Sequence, residues 1–298
     1  MVPLFKRNIV VDKIEKAAIG IGLRSQHYQA VLDTQPEVGF LEIHSENYFN
    51  AHSKNHYYLE QIAPNYPMSF HGIGLSLGSS EPISKQHLKK LKILVDRFQP
   101  ALVSDHLSWC SLQGNFFNDL LPIPYTKEAL NCFIDNVNQV QDYLQRQILI
   151  ENPSSYLEYK TWDMSEPEFI NQISQQTGCG LLLDLNNVYV SAINHQFSVQ
   201  EYLNILDHKA VQEIHLAGHT EKTIDNSRLL IDTHSTFVSQ SVWDIYQQYL
   251  SDTQSEAITL IEWDVELPSL DLLVTEAGKA TDIRAALNNK IMMPEVTR

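Results

Sequence analysis

Eight times along the chain a short apolar run breaks off in polar residues, and a stretch of helical character follows. The runs are "AIGIGLR" (18–24), "GFLEIHSE" (39–46), "PMSFHGIG" (67–74), "ALVSDHLSW" (101–109), "QILIENPS" (147–154), "GLLLDLNN" (180–187), "VQEIHLAGH" (211–219) and "AITLIEWD" (257–264). Eight strand-then-helix units predict a parallel sheet closed on itself, an α/β fold of the (β/α)8 TIM-barrel type. An open doubly wound sheet is the alternative, but no GxGxxG follows the first run to support it. No low-complexity linker or shift in composition divides the 298 residues, so we read a single domain over 1–298, with the barrel core at about 15–275 and a C-terminal tail at about 276–298.

The intervening segments carry helix signals. "SKQHLKKLKILVDRF" sets Leu88, Leu91, Val95 and Phe98 on one face, and "TKEALNCFIDNVNQVQDYL" does the same with Leu130, Phe133, Val137, Val140 and Leu144. Ser165/Glu168, Ser198/Glu201 and Ser241/Asp244 have the spacing of a helix N-terminal capping box, and Gly178 suits a C-cap.

Composition narrows the function. With 21 basic and 36 acidic residues the formal charge is -15, which opposes binding to nucleic acid. Three cysteines without a CxxC pair form neither a disulfide framework nor a thiolate zinc site, and we expect Cys110, Cys132 and Cys179 to be structural. The opening twenty residues hold no apolar stretch long enough for a signal peptide, and no segment is apolar enough to span a membrane. The expected setting is the reducing cytoplasm.

What each run ends with is the decisive pattern. In TIM barrels the chemistry gathers at the C-terminal ends of the strands. Here those ends present His44 and Glu46, His71, Asp105 and His106, Glu151 and Asn152, Asp184 and Asn187, His215, and Glu262 and Asp264. "LIDTHST" adds Asp232 and His234 between the last two runs. One such residue alone is ordinarily a loop anchor. Four or more acids converging on one partly buried rim would repel one another, and cations remove that cost. We therefore read a multinuclear metal site. Its donors are nitrogen and oxygen without thiolate, which suits iron(II), zinc or manganese. Glu151 is placed to bridge two ions, as in two-metal sites. Asp105 is a candidate for orienting His106 or a neighbouring ligand by a hydrogen bond, and Asn186 is expected to turn to backbone.

The series His71, His106, Glu151, Asp184, Asn187, His215, Asp232-x-His234, Glu262 resembles the trinuclear layout of the endonuclease IV and xylose isomerase-like barrels. That resemblance implies one ion on His71, His106 and Glu151, and a second on Glu151, Asp184, His215 and Glu262. A third would take Asp232, His234 and the residue at position 187, which is asparagine here where the nuclease usually has histidine. "GIGLR", "LEIHSENYF", "FHGIGLSLGS", "SDHLSW", "LIENPSSYL", "LLLDLNNVYVSA", "EIHLAGH", "IDTHS" and "LIEWD" together more closely resemble the multinuclear non-heme iron-dependent oxidative enzymes, over about residues 15–275. Asn187 fits that family's pattern. The resemblance implies two or three iron ions of mixed valence, with zinc or manganese in purified material. It implies O2-dependent oxidation of cysteines in ribosomally made precursor peptides, with a separate partner protein recognising the leader. Glu151 and Asp105 become catalytic candidates, and Glu46, Asn47, Asn152 and His219 candidate substrate contacts. The rival readings are a zinc phosphodiesterase like endonuclease IV, a sugar isomerase or epimerase, and a metal-storing or partner-binding barrel.

Overall fold

The computed structural model describes residues 14–225 and 227–292. The opening thirteen residues and those from 293 on, which include parts of the segments read above for a signal peptide and for a tail, lie outside the described residues. The strands in chain order are β1 (Ile19–Gly22), β2 (Phe40–His44), β3 (Met68–His71), β4 (Leu102–His106), β5 (Trp109–Leu112), β6 (Asn115–Leu121), β7 (Leu149–Glu151), β8 (Gly180–Asp184), β9 (Val211–Leu216), β10 (Thr220–Ile224), β11 (Ser227–Ile231) and β12 (Ile258–Ile261). The helices are α1 (Tyr28–Thr34), α2 (Lys54–Ile62), α3 (Lys85–Phe98), α4 (Lys127–Leu144), α5 (Glu166–Thr177), α6 (Leu185–His195), α7 (Val199–Ile205), α8 (Gln240–Thr253) and α9 (Leu270–Met292).

Strands β1, β2, β3, β4, β7, β8, β9 and β12 close into a barrel, and every pair in it is parallel. Each of these strands lies inside one of the eight apolar runs, so the TIM-barrel expectation holds. The apolar stripes of α3 and α4 face the sheet: Leu88, Leu91, Val95, Leu130, Phe133, Val137, Val140 and Leu144 are all buried. Phe98 is only partly buried and packs at the edge of that core.

Two antiparallel hairpins, β5–β6 and β10–β11, add to the eight expected strands and leave the barrel at its C-terminal end. The first turns at Gln113 and Gly114, both in the left-handed region at φ 51° and 76°. A two-residue turn of this kind matches the twist of a hairpin, so a Gln-Gly step between apolar runs was the available signal.

Caps differ in two places. Glu168 accepts from the Ser165 backbone N–H at 2.7 Å and completes the expected capping box, while Ser198 accepts from Glu201 N–H as a simple N-cap. Helix α8, however, is capped by Ser239, which accepts from Val242 N–H, while Ser241 already lies within the helix. Gly178 ends α5 at φ 70°. Helix α9 runs straight through residues 275 and 276, where the sequence divides core from tail, and Ala277, Ala280 and Arg284 on it are buried. Among the described residues, no helix is long and apolar enough to cross a membrane.

Candidate metal centre

Residues two apart on a strand share a face, so each barrel strand that ends in a polar residue also aims the residue two before it into the barrel. The inward set forms layers: Glu42, Ser69 and Glu213 below, then His44, His71, His106, Glu151, Asp184 and His215 at the C-terminal ends. Neighbouring registers bring the upper layer together, with His106 beside Glu151 and Asp184 beside His215.

Among the described residues, four groups bring their donor atoms within 4.8 Å of one another, and two of them share Glu151. In the first, His71 Nε2 and His106 Nε2 both lie 3.1 Å from Glu151 Oε2. In the second, Glu151, Asp184, His215 and Glu262 converge, with His215 Nδ1 3.1 Å from Glu262 Oε2 and 3.8 Å from Glu151 Oε1. Glu151 therefore turns one oxygen to each cluster. Backbone and hydroxyl groups fix the first pair of rings: His71 Nδ1 meets Ser104 Oγ at 2.7 Å, and His106 Nδ1 meets the Gly72 carbonyl at 3.1 Å. Neither Ser104 nor Gly72 was singled out from sequence; the period-two rule would have found Ser104.

The chemistry of these donors fits a cation. Asp184 Oδ2 and Asn187 Oδ1 are buried without a hydrogen-bond partner. Leaving such atoms unpaired costs roughly 1–3 kcal/mol each. Burial opposes ionisation of Glu151, but the charges of His106 and His71 outweigh it and hold the carboxyl at about 2. His71 is pushed up to about 10: Glu151 more than offsets its burial. Burial instead lowers His106 to about 4. Asp184 is pushed well up by burial, reinforced by the nearby Glu151 and Asp232 charges. A bound cation would relieve this conflict among buried like charges.

Asp184 has two tasks because no loop follows β8. Helix α6 starts at once, and Asp184 Oδ1 caps it by accepting from Asn187 N–H at 2.6 Å, leaving Oδ2 free. Asn187 Nδ2 donates to the Asn152 carbonyl at 3.1 Å, so its orphaned Oδ1 is the atom left to bind. Asp232 and His234 face each other at 2.7 Å, and His234 Nδ1 lies 3.2 Å from Glu262.

Other expected site residues have different partners. Asp105 accepts from the backbone N–H groups of His106 and Leu75, so it anchors chain and does not orient the His106 ring. Burial, aided by Glu46, raises it to about 7. Asn152 bonds the Asp184 backbone with both ends of its amide, each at 2.9 Å. Asn186 does not turn to backbone: its amide donates to Asp232 and accepts from His219, both at 2.7 Å. Glu46 accepts from Ile73 N–H and pairs with His87 at 3.2 Å, a histidine given no role above. Asn47 is exposed. His219 is half-buried beside Tyr189.

His44, Glu262 and Asp264 form a further converging group. There Arg24 already supplies positive charge, bonding Asp264 through Nε at 2.8 Å and meeting His44 Nε2 at 3.0 Å. Despite burial, Arg24 holds Asp264 well below the usual carboxylate range. The three cysteines are free, and the thiols of Cys110 and Cys132 contact backbone carbonyls.

Fold and rim together define a TIM barrel whose strand ends carry candidate metal-ligand clusters. The chain belongs to the family described as "RiPP precursor modification enzyme MbnB/TglH/ChrH", whose model matches residues 18–285. It is 68% identical over 277 residues to a UPF0276 protein of Psychromonas ingrahamii, covering 93% of this chain and 98% of that one. A UPF0276 protein of Vibrio vulnificus is 52% identical over 280 residues, covering 93% and 96%. Among solved structures, D-psicose 3-epimerase with D-tagatose from Clostridium cellulolyticum H10 aligns at a TM-score of 0.57 and 12% identity, over 91% of this chain and 99% of that one. That likeness concerns the fold.

Proposed function

We propose that the protein is an iron- and O2-dependent oxidase that modifies cysteine residues of a ribosomally made precursor peptide in the cytoplasm. One observation carries the reading: Glu151 presents its two oxygens to two imidazole–carboxylate clusters, in a chain whose family modifies precursor peptides. His71, His106 and Glu151 would hold one ion, and Glu151, Asp184, His215 and Glu262 a second. Asp232, His234 and Asn187 are the donors for a third. Iron held there supplies the redox chemistry by which O2 oxidises a cysteine thiolate.

The chain's own residues set the conditions for that chemistry. Glu151 and Asp184 are enclosed and Glu262 nearly so, which keeps bulk water from screening the charges. Arg24 neutralises Asp264 beside the second cluster without occupying it. His219 and Glu46 stand at the edge of the site as candidate substrate contacts, and a separate protein that recognises the peptide leader is the expected partner. The thin basic content leaves little to attract a polyanion, which counts against a phosphodiesterase.

The test is anaerobic purification, loading with Fe(II), and addition of O2 and a cysteine-containing precursor peptide with its helper protein. Oxygen uptake with a mass change on cysteine supports the proposal. Full occupancy by zinc with phosphodiester cleavage, or epimerisation of a ketose without oxygen uptake, would overturn it.

A further inference from the structure

Glu42 was not marked by the sequence, yet it stands directly beneath the second cluster. It sits two residues before His44 on β2, with none of its surface exposed, and its Oε2 lies 3.5 Å from His215 Nε2. An imidazole can offer only one lone pair at a time unless it loses both protons. His215 Nδ1 faces Glu262 and Glu151, the side on which Asp184 Oδ2 also waits unpartnered. Its other nitrogen faces Glu42, and Glu213 at 4.0 Å.

Two arrangements are open to this ring. If Nε2 bound an ion between Glu42 and Glu213, Nδ1 would keep its proton and the second cluster would lose its only nitrogen donor. If Nδ1 binds, Nε2–H needs an acceptor, and Glu42 is the nearest carboxylate. Ser69 favours the second arrangement. Its hydroxyl stands between the two carboxylates, 3.1 Å from Glu42 Oε2 and 3.1 Å from Glu213 Oε2, and can give its single proton to either without a cation. All three side chains are fully enclosed below the rim.

We infer that Glu42 is a positioning residue: it accepts the Nε2 proton of His215 and so turns the Nδ1 lone pair to the metal shared with Glu151, Asp184 and Glu262. A carboxylate behind a ligating histidine fixes both tautomer and ring orientation, and losing it typically lowers metal affinity by about 10–100-fold. The inference rests on the metal reading above.

The experiment measures Co(II) binding to the full-length protein by calorimetry and by visible absorption, alongside melting of the metal-free form. For Glu42→Gln we expect unchanged melting, one class of site weakened about 10-fold or more, and an altered absorption band for that site. The His71, His106 and Glu151 site should be unaffected. If Glu42→Gln does not fold, Ser69→Ala, which frees Glu42 to swing, should weaken the same class of site. Identical affinities and spectra for variant and native protein would overturn the inference while leaving the metal reading intact. So would an extra ion in the native protein that both Glu42→Gln and Glu213→Gln remove. Absence of any Co(II) binding to the native protein would overturn both.

Discussion

Glu151 is the residue on which the site turns, because among the described residues it alone supplies a donor to both clusters. Replacing it with alanine should empty both, whereas His71→Ala should empty only the first. Metal content per chain by mass spectrometry, with circular dichroism to show a folded barrel, checks the difference; equal losses would mean the clusters are not linked through Glu151. Asn152 makes a different point at this scale. Its buried amide serves the Asp184 backbone, so Asn152→Ala strands the Asp184 N–H. It should cost about 1–3 kcal/mol of stability in urea unfolding, with any loss of metal following from displacement of Asp184.

At the scale of elements, the hairpins and caps decide how rim residues are delivered. Gly218 follows β9, and a Cβ there would lie 2.6 Å from the Phe237 carbonyl and closer still to Thr236. Its own carbonyl accepts from His234 N–H at 2.9 Å. Gly218→Ala should therefore push away the segment bearing His234, cost about 1–3 kcal/mol, and weaken metal binding through Asp232 and His234 more than through His71 and His106. Titration of metal into the variant would show this. The cap of α8 gives a cleaner comparison. Ser239→Ala should cost about 1 kcal/mol, while Ser241→Ala, inside the helix, should stay within about 0.5 kcal/mol. Chemical denaturation of the two variants distinguishes the cap observed from the one that spacing alone predicts.

For the whole molecule, protons and metal compete for the same enclosed donors. His71, raised to about 10 by Glu151 against the effect of burial, carries a proton at neutral pH in the metal-free protein. A metal must displace it, so affinity should rise as pH increases toward that value and fall as pH drops. Calorimetry of metal binding at pH 7 in buffers of different ionisation enthalpy should report at least about one proton released per chain; no release would place the metal elsewhere. Occupied sites should also raise thermal stability, by about 2.7 kcal/mol at a free metal concentration one hundred times Kd.

The barrel and the order of polar residues along its rim can be read from the linear chain. Each apolar run is too short for a core helix and is followed by a helical stretch, so it pairs as a strand, and in a TIM barrel every strand end faces the same side, so a polar residue at the end of a run marks a rim position. That reasoning found His71, His106, Glu151, Asp184, His215 and Glu262 without coordinates. The two-residue strand period puts Glu42 and Ser69 inside the barrel and Arg24 ends the first run, but which partners these three meet depends on register and tilt between distant strands. The sequence does not separate Asn152, spent on the Asp184 backbone, from Asn187, whose oxygen is free. Both are asparagines just past a strand end, and only the packed structure decides which amide has already found its partners.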